Sequence, residues 1–182
     1  MSTVSSPTEI IALLRDIEHR SQRDIVGLSQ QDIRHGTWTA IDFRIAKNHY
    51  LIPLNETREV FPVPNQITSV PKSKPWVFGI ANLRGELLPL FDLKYFLYGQ
   101  ATKVNKRSRI IVINHSDLYS GLLLDEVFGL KHFPQKPDYN DTLSDNAVSP
   151  YINGSIVQQD MRWDVFSFTK LAADPQFLNA AA

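Results

Sequence analysis

A change of hydrophobic period in the first quarter of the chain constrains the fold more than any other feature. In the stretch TAIDFRIA, Ile41, Phe43 and Ile45 alternate with Asp42 and Arg44. A period of two places the apolar side chains on one face of a β-strand and the polar side chains on the other. The stretch therefore predicts a half-buried strand rather than a helix.

Short apolar runs bounded by turn residues continue to the end of the chain. The runs that we interpret as strands are HYLIPL, TREVFPVP, residues 77–81 and 87–91, RIIVIN, YSGLLLD, VFGLKHF, YINGSIVQQD and RWDVFSF. Strands at a spacing of roughly 8–12 residues favour a sandwich or barrels over a parallel sheet. Two short helices are also predicted, at 93–98 and 174–179. The sequence thus predicts a mainly β protein with few helices.

The first part of the chain has the period of a helix instead. Over residues 7–28 the apolar positions are three or four apart, with a stripe formed by Ile10, Leu14, Ile17, Ile25 and Leu28. Acidic and basic side chains share the opposite face, which argues against a membrane anchor. We expect this amphipathic helix to dock on the protein's own strands or on a partner.

The strand region contains a loose internal repeat. HYLIPLNETREVF resembles LYSGLLLDEVF, which aligns Glu59 with Glu126, and ELLPLFDLKYFL resembles RWDVFSFTKLA. The repeat predicts two similar, intertwined β subdomains, with the changeover near the polar linker 99–108. The expected organisation is a helical extension at 1–35, the β domain at 36–174 and a C-terminal tail at 175–182.

Composition and motifs exclude most catalytic chemistries. The chain has no cysteine, and its five histidines form no metal-binding pair. It also lacks a phosphate-binding glycine loop and a nucleophile elbow. A net charge of zero argues against non-specific binding to nucleic acid, and neither a signal peptide nor a membrane span is recognisable. We therefore expect a soluble cytoplasmic protein that needs no metal or cofactor.

Two weaker patterns leave alternatives open. The carboxylate pairs Glu56/Glu59 and Asp125/Glu126 have the chemistry for acid–base catalysis, although solvated strand ends are the more frequent explanation. The run KVNKRSR could contact phosphate, although no aromatic residues interleave with it and a solvated linker is favoured. A small β-barrel enzyme or nucleic-acid binder therefore stays as an alternative to a binding protein.

The stretch GIANLRGELLPLF predicts a tight hairpin that carries a cation at its tip. Asn82 and Gly85 are the residues of this turn that tolerate positive φ. The turn displays Arg84, whose planar guanidinium can bind a carboxylate with two hydrogen bonds. A solvated arginine that keeps the hairpin soluble would have the same pattern.

The same stretch resembles the signature of the CheW-like adaptor family, G-x-x-N-L-R-G-x-(apolar)-(apolar)-P-(apolar)-x-D-L. TREVFPVPNQITSVP resembles the family segment that carries a glutamate, here Glu59. YSGLLLDEVFGLKHFP resembles the corresponding segment of the second subdomain. The resemblance covers residues 36–172 and is strongest to those members that serve chemosensory systems of type IV pili.

The resemblance implies a fold, partners and binding residues. The family fold is two small five-stranded, SH3-like β-barrels, and its members are adaptors without enzymatic activity or cofactors. They couple the cytoplasmic tip of a methyl-accepting chemoreceptor to the regulatory domain of a CheA-type histidine kinase. The pathway implied is pilus-driven twitching motility, and flagellar chemotaxis is the alternative. Neither nucleic-acid binding nor direct membrane insertion is implied, and the expected location is cytoplasmic, at membrane-bound receptor arrays.

The resemblance also assigns partner-binding residues. In the first subdomain they are Glu59, Val60, Asn82, Leu83, Arg84 and Gly85; in the second they are Asp125, Glu126 and Val127. Arg84 and Glu59 are expected to pair with each other near the groove between the two barrels.

Overall fold

The computed structural model describes residues 37–116, 118–141 and 147–180. The predicted helix at 7–28 and the extension at 1–35 lie outside these residues. The described strands are β1 (Trp38–Ile45), β2 (Asn48–Pro53), β3 (Thr57–Pro62), β4 (Val77–Leu83), β5 (Glu86–Asp92), β6 (Arg109–Ile113), β7 (Gly121–Leu124), β8 (Glu126–Phe133), β9 (Ile152–Gln158) and β10 (Met161–Phe166). The described helices are α1 (Leu93–Tyr98), α2 (Phe168–Ala172) and α3 (Pro175–Leu178), and short 3-10 helices cover Leu54–Glu56 and Ser149–Tyr151.

The strands form two five-stranded sheets with the same topology. Sheet I has the order β8-β1-β2-β10-β9, and sheet II has the order β3-β6-β7-β5-β4. Each sheet contains one parallel pair, β2 with β10 and β5 with β7, and its other pairs are antiparallel. The prediction of a mainly β protein with two five-stranded units is confirmed. No helix of the described part is long and apolar enough to cross a bilayer.

The chain passes between the sheets at two places, and neither is the linker 99–108. It leaves sheet I through the 3-10 helix Leu54–Glu56 and returns from sheet II at Asp125. The linker connects α1 to β6 within sheet II, so the expected changeover at this linker is corrected. Its polar composition reflects exposure on the surface, which loops share whether or not they separate subdomains. The outer bounds of the β domain, 36–174, stay a prediction.

The internal repeat is real, but its register differs from the one that the sequence suggested. Opposite β6, strand β3 skips Arg58 between Thr57 and Glu59. Opposite β1, strand β8 skips Phe128 in the same way. These equivalent bulges align Glu59 with Gly129 and not with Glu126. Short apolar runs cannot fix such a register, because each tolerates a slip.

Helices α1 and α2 follow equivalent strands and begin in the same way. The Asp92 side chain accepts a hydrogen bond from the backbone N–H of Tyr95, and Ser167 accepts one from Lys170. Such N-caps satisfy N–H groups that the first helical turn leaves free. The resemblance between ELLPLFDLKYFL and RWDVFSFTKLA therefore corresponds to a repeated strand-to-helix unit, and the predicted helix Leu93–Tyr98 is confirmed.

The two sheets bury their outward faces against each other. A central cluster joins β1 and β2 of sheet I to β6 and β7 of sheet II, with Phe43 and Ile111 among its buried members. Each sheet also has an interior cluster of its own, around Trp163 in sheet I and Leu88 in sheet II. The segment expected to be a tail, 175–182, contributes to the central cluster, because Phe177 of α3 is buried there.

Burial on both sides changes the interpretation of β1. The alternating pattern predicted a polar face in water, yet Asp42 is only 3% exposed because it faces the interior of sheet I. His49 Nδ1 lies 3.1 Å from its carboxylate, and Lys131 Nζ lies 3.5 Å from it. These contacts offset the cost of removing the carboxylate from water. The prediction of a half-buried strand is corrected to a strand that is buried on both faces.

Two equivalent glycines allow the chain to close each sheet. After β3 the chain crosses β4, where Thr68 and Ile80 exchange two backbone hydrogen bonds of 2.9 and 2.8 Å. After β8, Asp138 and Ser155 do the same on β9. A Cβ on Gly79 would lie 2.7 Å from the Thr68 carbonyl oxygen, and one on Gly154 would lie 2.5 Å from that of Asp138. Only glycine fits at these crossings.

We expect Gly79→Ala and Gly154→Ala to destabilise the fold strongly. Both positions have positive φ, +143° and +125°, and both would bring a Cβ against backbone. Gly129→Ala is the matched control, because φ there is +114° and nothing lies within 4 Å of the added Cβ. Denaturant unfolding should give losses larger than that of the control by about 2 kcal/mol, as expected for steric strain. Equal losses at the three positions would show that closure of the sheets does not depend on the absence of a Cβ at Gly79 and Gly154.

Candidate functional site

The candidate site begins at the two-residue turn between β4 and β5. Leu83 pairs with Glu86, so Arg84 and Gly85 form the loop. Their φ angles are +54° and +91°, as in a type I′ turn. We expected Asn82 and Gly85 to take the positive φ angles, and for Asn82 this is wrong. Asn82 stays in β4, where its Oδ1 accepts a 2.8 Å hydrogen bond from the Gly85 N–H.

Arg84 occupies a backbone conformation that does not suit it. The left-handed region costs a residue with a Cβ about 1–2 kcal/mol relative to the right-handed one. Its side chain is 77% exposed, so burial does not compensate for that cost. Since glycine or asparagine would be more stable here, stability does not explain an arginine at this turn.

The side chain of Arg84 is held by one ion pair. Its Nη2 donates a 2.7 Å hydrogen bond to Oε1 of Glu59, whose side chain is 28% exposed. The two residues lie on β3 and on the β4–β5 turn, at opposite edges of sheet II. Exposed pairs contribute only about 0–1 kcal/mol to stability. Glu59 takes one of five guanidinium donors, so the pair orients the arginine and leaves donors for a partner.

A pocket of 230 Å³ lies beside this pair. Its lining consists of Arg58, Glu59, Leu83, Arg84, Glu86, Val112 and Tyr119. The guanidinium of Arg58 lies 5.3 Å from the centre of the Tyr119 ring. Burial, together with a hydrogen bond to Glu86, raises the pKa of the Tyr119 phenol. The phenol therefore stays protonated at neutral pH, and the pocket offers two cations, two carboxylates and a neutral donor.

The pair lies at the open end of sheet II and not in the groove between the sheets. Leu83 and Tyr119 pack against the interior cluster of sheet II, and Val112 belongs to it. Val60, the residue after Glu59, packs against the central cluster instead. Successive residues of a strand face opposite sides, so Glu59 faces away from the groove. The expected pairing is present, and the expected position near the groove is corrected.

The predicted residues of the second subdomain make internal contacts. Asp125 is buried, and its carboxylate accepts hydrogen bonds from Ala46 N at 2.7 Å and from Lys94 Nζ at 3.3 Å. Glu126 accepts a 3.0 Å hydrogen bond from Arg44. Val127 packs against the central cluster. These contacts stabilise the crossing between the sheets, and a role in partner binding stays a prediction for all the residues named from the resemblance.

The carboxylate pair Glu56/Glu59 does not form a catalytic arrangement. Glu56 Oε2 accepts backbone hydrogen bonds from Phe168 at 2.5 Å and Thr169 at 3.2 Å. It thereby caps the N-terminus of α2, where the helix dipole favours a negative charge. Glu59 pairs with Arg84 at the end of sheet II instead. The two carboxylates therefore have separate structural partners.

The equivalent end of sheet I holds a cluster that the sequence analysis missed. The imidazole of His49 stacks on Phe128 with ring centres 4.6 Å apart, and Lys131 Nζ lies 4.5 Å from the ring centre of Trp163. The side chains of His49 and Lys131 also approach the buried Asp42. An aspartate between two apolar residues of a strand was the available signal. The two ends of the molecule therefore present different chemistry on the same framework.

Comparison with solved structures identifies the fold. The crystal structure of the scaffolding protein TtCheW from Thermoanaerobacter tengcongensis superimposes with a TM-score of 0.60. The match covers 72% of this chain and 84% of that one at 23% sequence identity, which shows the fold alone.

Sequence comparison gives the family. The model of the CheW-like domain matches residues 39–175, and the chain belongs to this family. Protein PilI of Pseudomonas aeruginosa is 37% identical over the whole of this chain and 99% of its own length. The chemotaxis protein CheW of Helicobacter pylori is 32% identical over 76% of this chain and 84% of its own. These matches confirm the resemblance that the sequence analysis described. The family consists of non-enzymatic scaffold and adaptor proteins.

Replacement of Arg84 should leave the fold intact. We expect the free energy of unfolding of Arg84→Gly to lie within about 1 kcal/mol of the parent value or above it, because relief of backbone strain offsets the loss of an exposed ion pair. Arg84→Val should be destabilised, because a branched side chain at positive φ is strained. Denaturant midpoints measure both effects. A large loss in Arg84→Gly would show that the ion pair stabilises the sheet.

Proposed function

We propose that this protein is an adaptor that couples a methyl-accepting chemoreceptor to a CheA-type histidine kinase. The proposal is supported by the position of Arg84, which is exposed on a strained turn and oriented by Glu59. Stability does not explain an arginine there. An arginine held in this way suits recognition of a carboxylate or amide on a partner. Its contribution would be to specificity and association rate more than to affinity.

The architecture suits a protein with two partners. The central cluster joins the sheets into one packed body, whose two ends differ in chemistry. Partner strands or helices can engage such a body at sheet edges and grooves without competing for one surface. We propose cytoplasmic receptor arrays as the location, since the receptor tip and the kinase meet there.

We further propose that the pathway controls type IV pili. The alignment with PilI extends over the whole chain, including the residues before β1, whereas the alignment with Helicobacter pylori CheW covers 76%. The similarity to PilI in the residues before β1 therefore favours a PilI-like role. Flagellar chemotaxis is the second candidate, because several relatives are chemotaxis proteins named CheW.

A deletion strain separates the two pathways. If the proposal holds, cells that lack the protein lose twitching on a surface and swim normally. The strain is complemented with the parent gene as the control. Normal twitching together with defective chemotactic swimming would favour the flagellar role instead.

Charge reversal at Arg84 tests the proposed surface. We expect Arg84→Glu to weaken binding to the kinase regulatory domain or to the receptor signalling tip by at least about tenfold, as interface arginines commonly do. Arg84→Gly should weaken binding less than Arg84→Glu does, because it removes the hydrogen-bond donors without adding a negative charge. Lys106→Glu, an exposed charge change on the linker 99–108, is the matched control and should bind like the parent. Isothermal titration calorimetry with each purified partner measures the changes.

Two results would count against this surface or this function. Full binding of both partners by a folded Arg84→Glu variant would remove Arg84 from the mechanism and leave the adaptor role open. Failure of the parent protein to bind either partner would overturn the adaptor role itself.

A further inference from the structure

The pocket beside Arg84 contains a second arginine, Arg58, at the bulge of β3. Successive residues of a regular strand face opposite sides, yet Arg58 and Glu59 both line this pocket. The bulge explains this arrangement, because an extra residue in a strand re-aims its side chain. Arg58 from β3 and Arg84 from the β4–β5 turn therefore border one space of 230 Å³.

The fold holds the side chain of Arg58 in place without requiring an arginine. Its guanidinium carbon lies 5.3 Å from the ring centre of Tyr119. In sheet I the equivalent bulge residue is Phe128, which stacks on His49 with ring centres 4.6 Å apart. Tyr119 and His49 correspond as well, since each lies just before the residues that form the parallel strand pair of its sheet. Because phenylalanine makes this stack in sheet I, stacking does not explain the guanidinium in sheet II.

The hydrogen-bond donors and acceptors of the pocket do not balance. Each guanidinium has five N–H donors. Among the described residues, Arg84 has one carboxylate partner, Glu59, and Arg58 has its ring contact and no carboxylate partner. The other carboxylate of the lining, Glu86, accepts a hydrogen bond from Tyr119. In the described part of the chain the pocket therefore has donors in excess, and the group that would complete it is an acceptor.

We propose that Arg58 and Arg84 together bind one acidic side chain of a partner in this pocket. A carboxylate only accepts hydrogen bonds, and it can take them from two guanidinium groups at once. An amide would bring two further N–H donors into a pocket that already has an excess of them. The identity of the partner rests on the proposed adaptor function, whereas the chemistry of the pocket does not.

Propionate has the carboxylate of a glutamate side chain and tests the pocket without a partner protein. In the full chain, NMR follows the side-chain Nε–H signals of Arg58 and Arg84 during the titration. We expect both signals to shift and to saturate, and propionamide to bind at least about tenfold more weakly because it carries no charge. Sodium chloride at the same ionic strength is the control for screening. Equal shifts with the three solutes, or a response of only one arginine, overturn the proposal.

Arg58→Phe tests the contact with a partner and keeps a ring at the bulge, as Phe128 does in sheet I. We expect it to weaken binding to the kinase regulatory domain or to the receptor signalling tip at least about tenfold, as interface arginines commonly do. Lys106→Phe, which replaces an exposed cation on the linker 99–108, is the matched control and should bind like the parent. Arg58→Lys keeps the charge without the planar pair of donors and should fall between the two. Arg58→Lys is also the readout if Arg58→Phe does not fold.

Two arginines that hold the same carboxylate must be coupled. Calorimetry on Arg58→Phe combined with Arg84→Gly should therefore give a loss of affinity smaller than the product of the two single losses. Parent-like binding by folded Arg58 variants, or a combined loss equal to that product, overturns the proposal and leaves the adaptor function standing. If the parent protein binds neither partner, the adaptor function fails, and the propionate titration decides whether the pocket binds a carboxylate.

Discussion

The outward faces of the two sheets are apolar, and among the described residues they pack against each other and against the short helices. Strands β1 and β2 on one side and β6 and β7 on the other have side chains packed on both faces, one in a sheet interior and one in the central cluster. Because the chain passes from one sheet to the other at Leu54–Glu56 and back at Asp125, neither sheet is a continuous stretch of sequence. The central cluster therefore holds the described part of the chain together, and the crossings stabilise it through the Glu56 cap on α2 and the Asp125 contacts.

The functional features lie at the ends of this packed body. Glycines at two equivalent positions let the returning chain close each sheet, and the hairpin that follows Gly79 carries Arg84 at its tip. A rigid support is what permits an arginine to occupy a left-handed turn, because the surrounding sheet fixes the backbone. The same framework in sheet I holds the buried Asp42 with His49 and Lys131 instead. One fold used twice thus provides two ends with different surfaces, which suits an adaptor and requires no catalytic group.

Much of the fold could be predicted, because alternation and turn residues report local structure directly. The strands, helix α1 and the repeated strand-to-helix unit follow from local patterns, and the Arg84–Glu59 pairing came from a resemblance to a family. The burial of Asp42 was not predicted, because an alternating pattern does not show whether the polar face of a strand meets water or a second buried layer. In that layer Asp42 is paired with His49 and Lys131. The changeover, the register of the repeat and the side of the sheet on which Arg84 lies depend on contacts between distant segments. A linear sequence does not encode those contacts as a local period.

An adaptor of the proposed kind binds a receptor and a kinase at the same time, with one molecule of the protein between them. The most direct measurement immobilises the receptor signalling fragment and records retention of the kinase regulatory domain with and without the protein. If one molecule binds both partners, retention of the kinase domain requires the protein and rises with its concentration until the receptor sites are saturated. Retention that is independent of the protein, or displacement of one partner from the protein by the other, would contradict it.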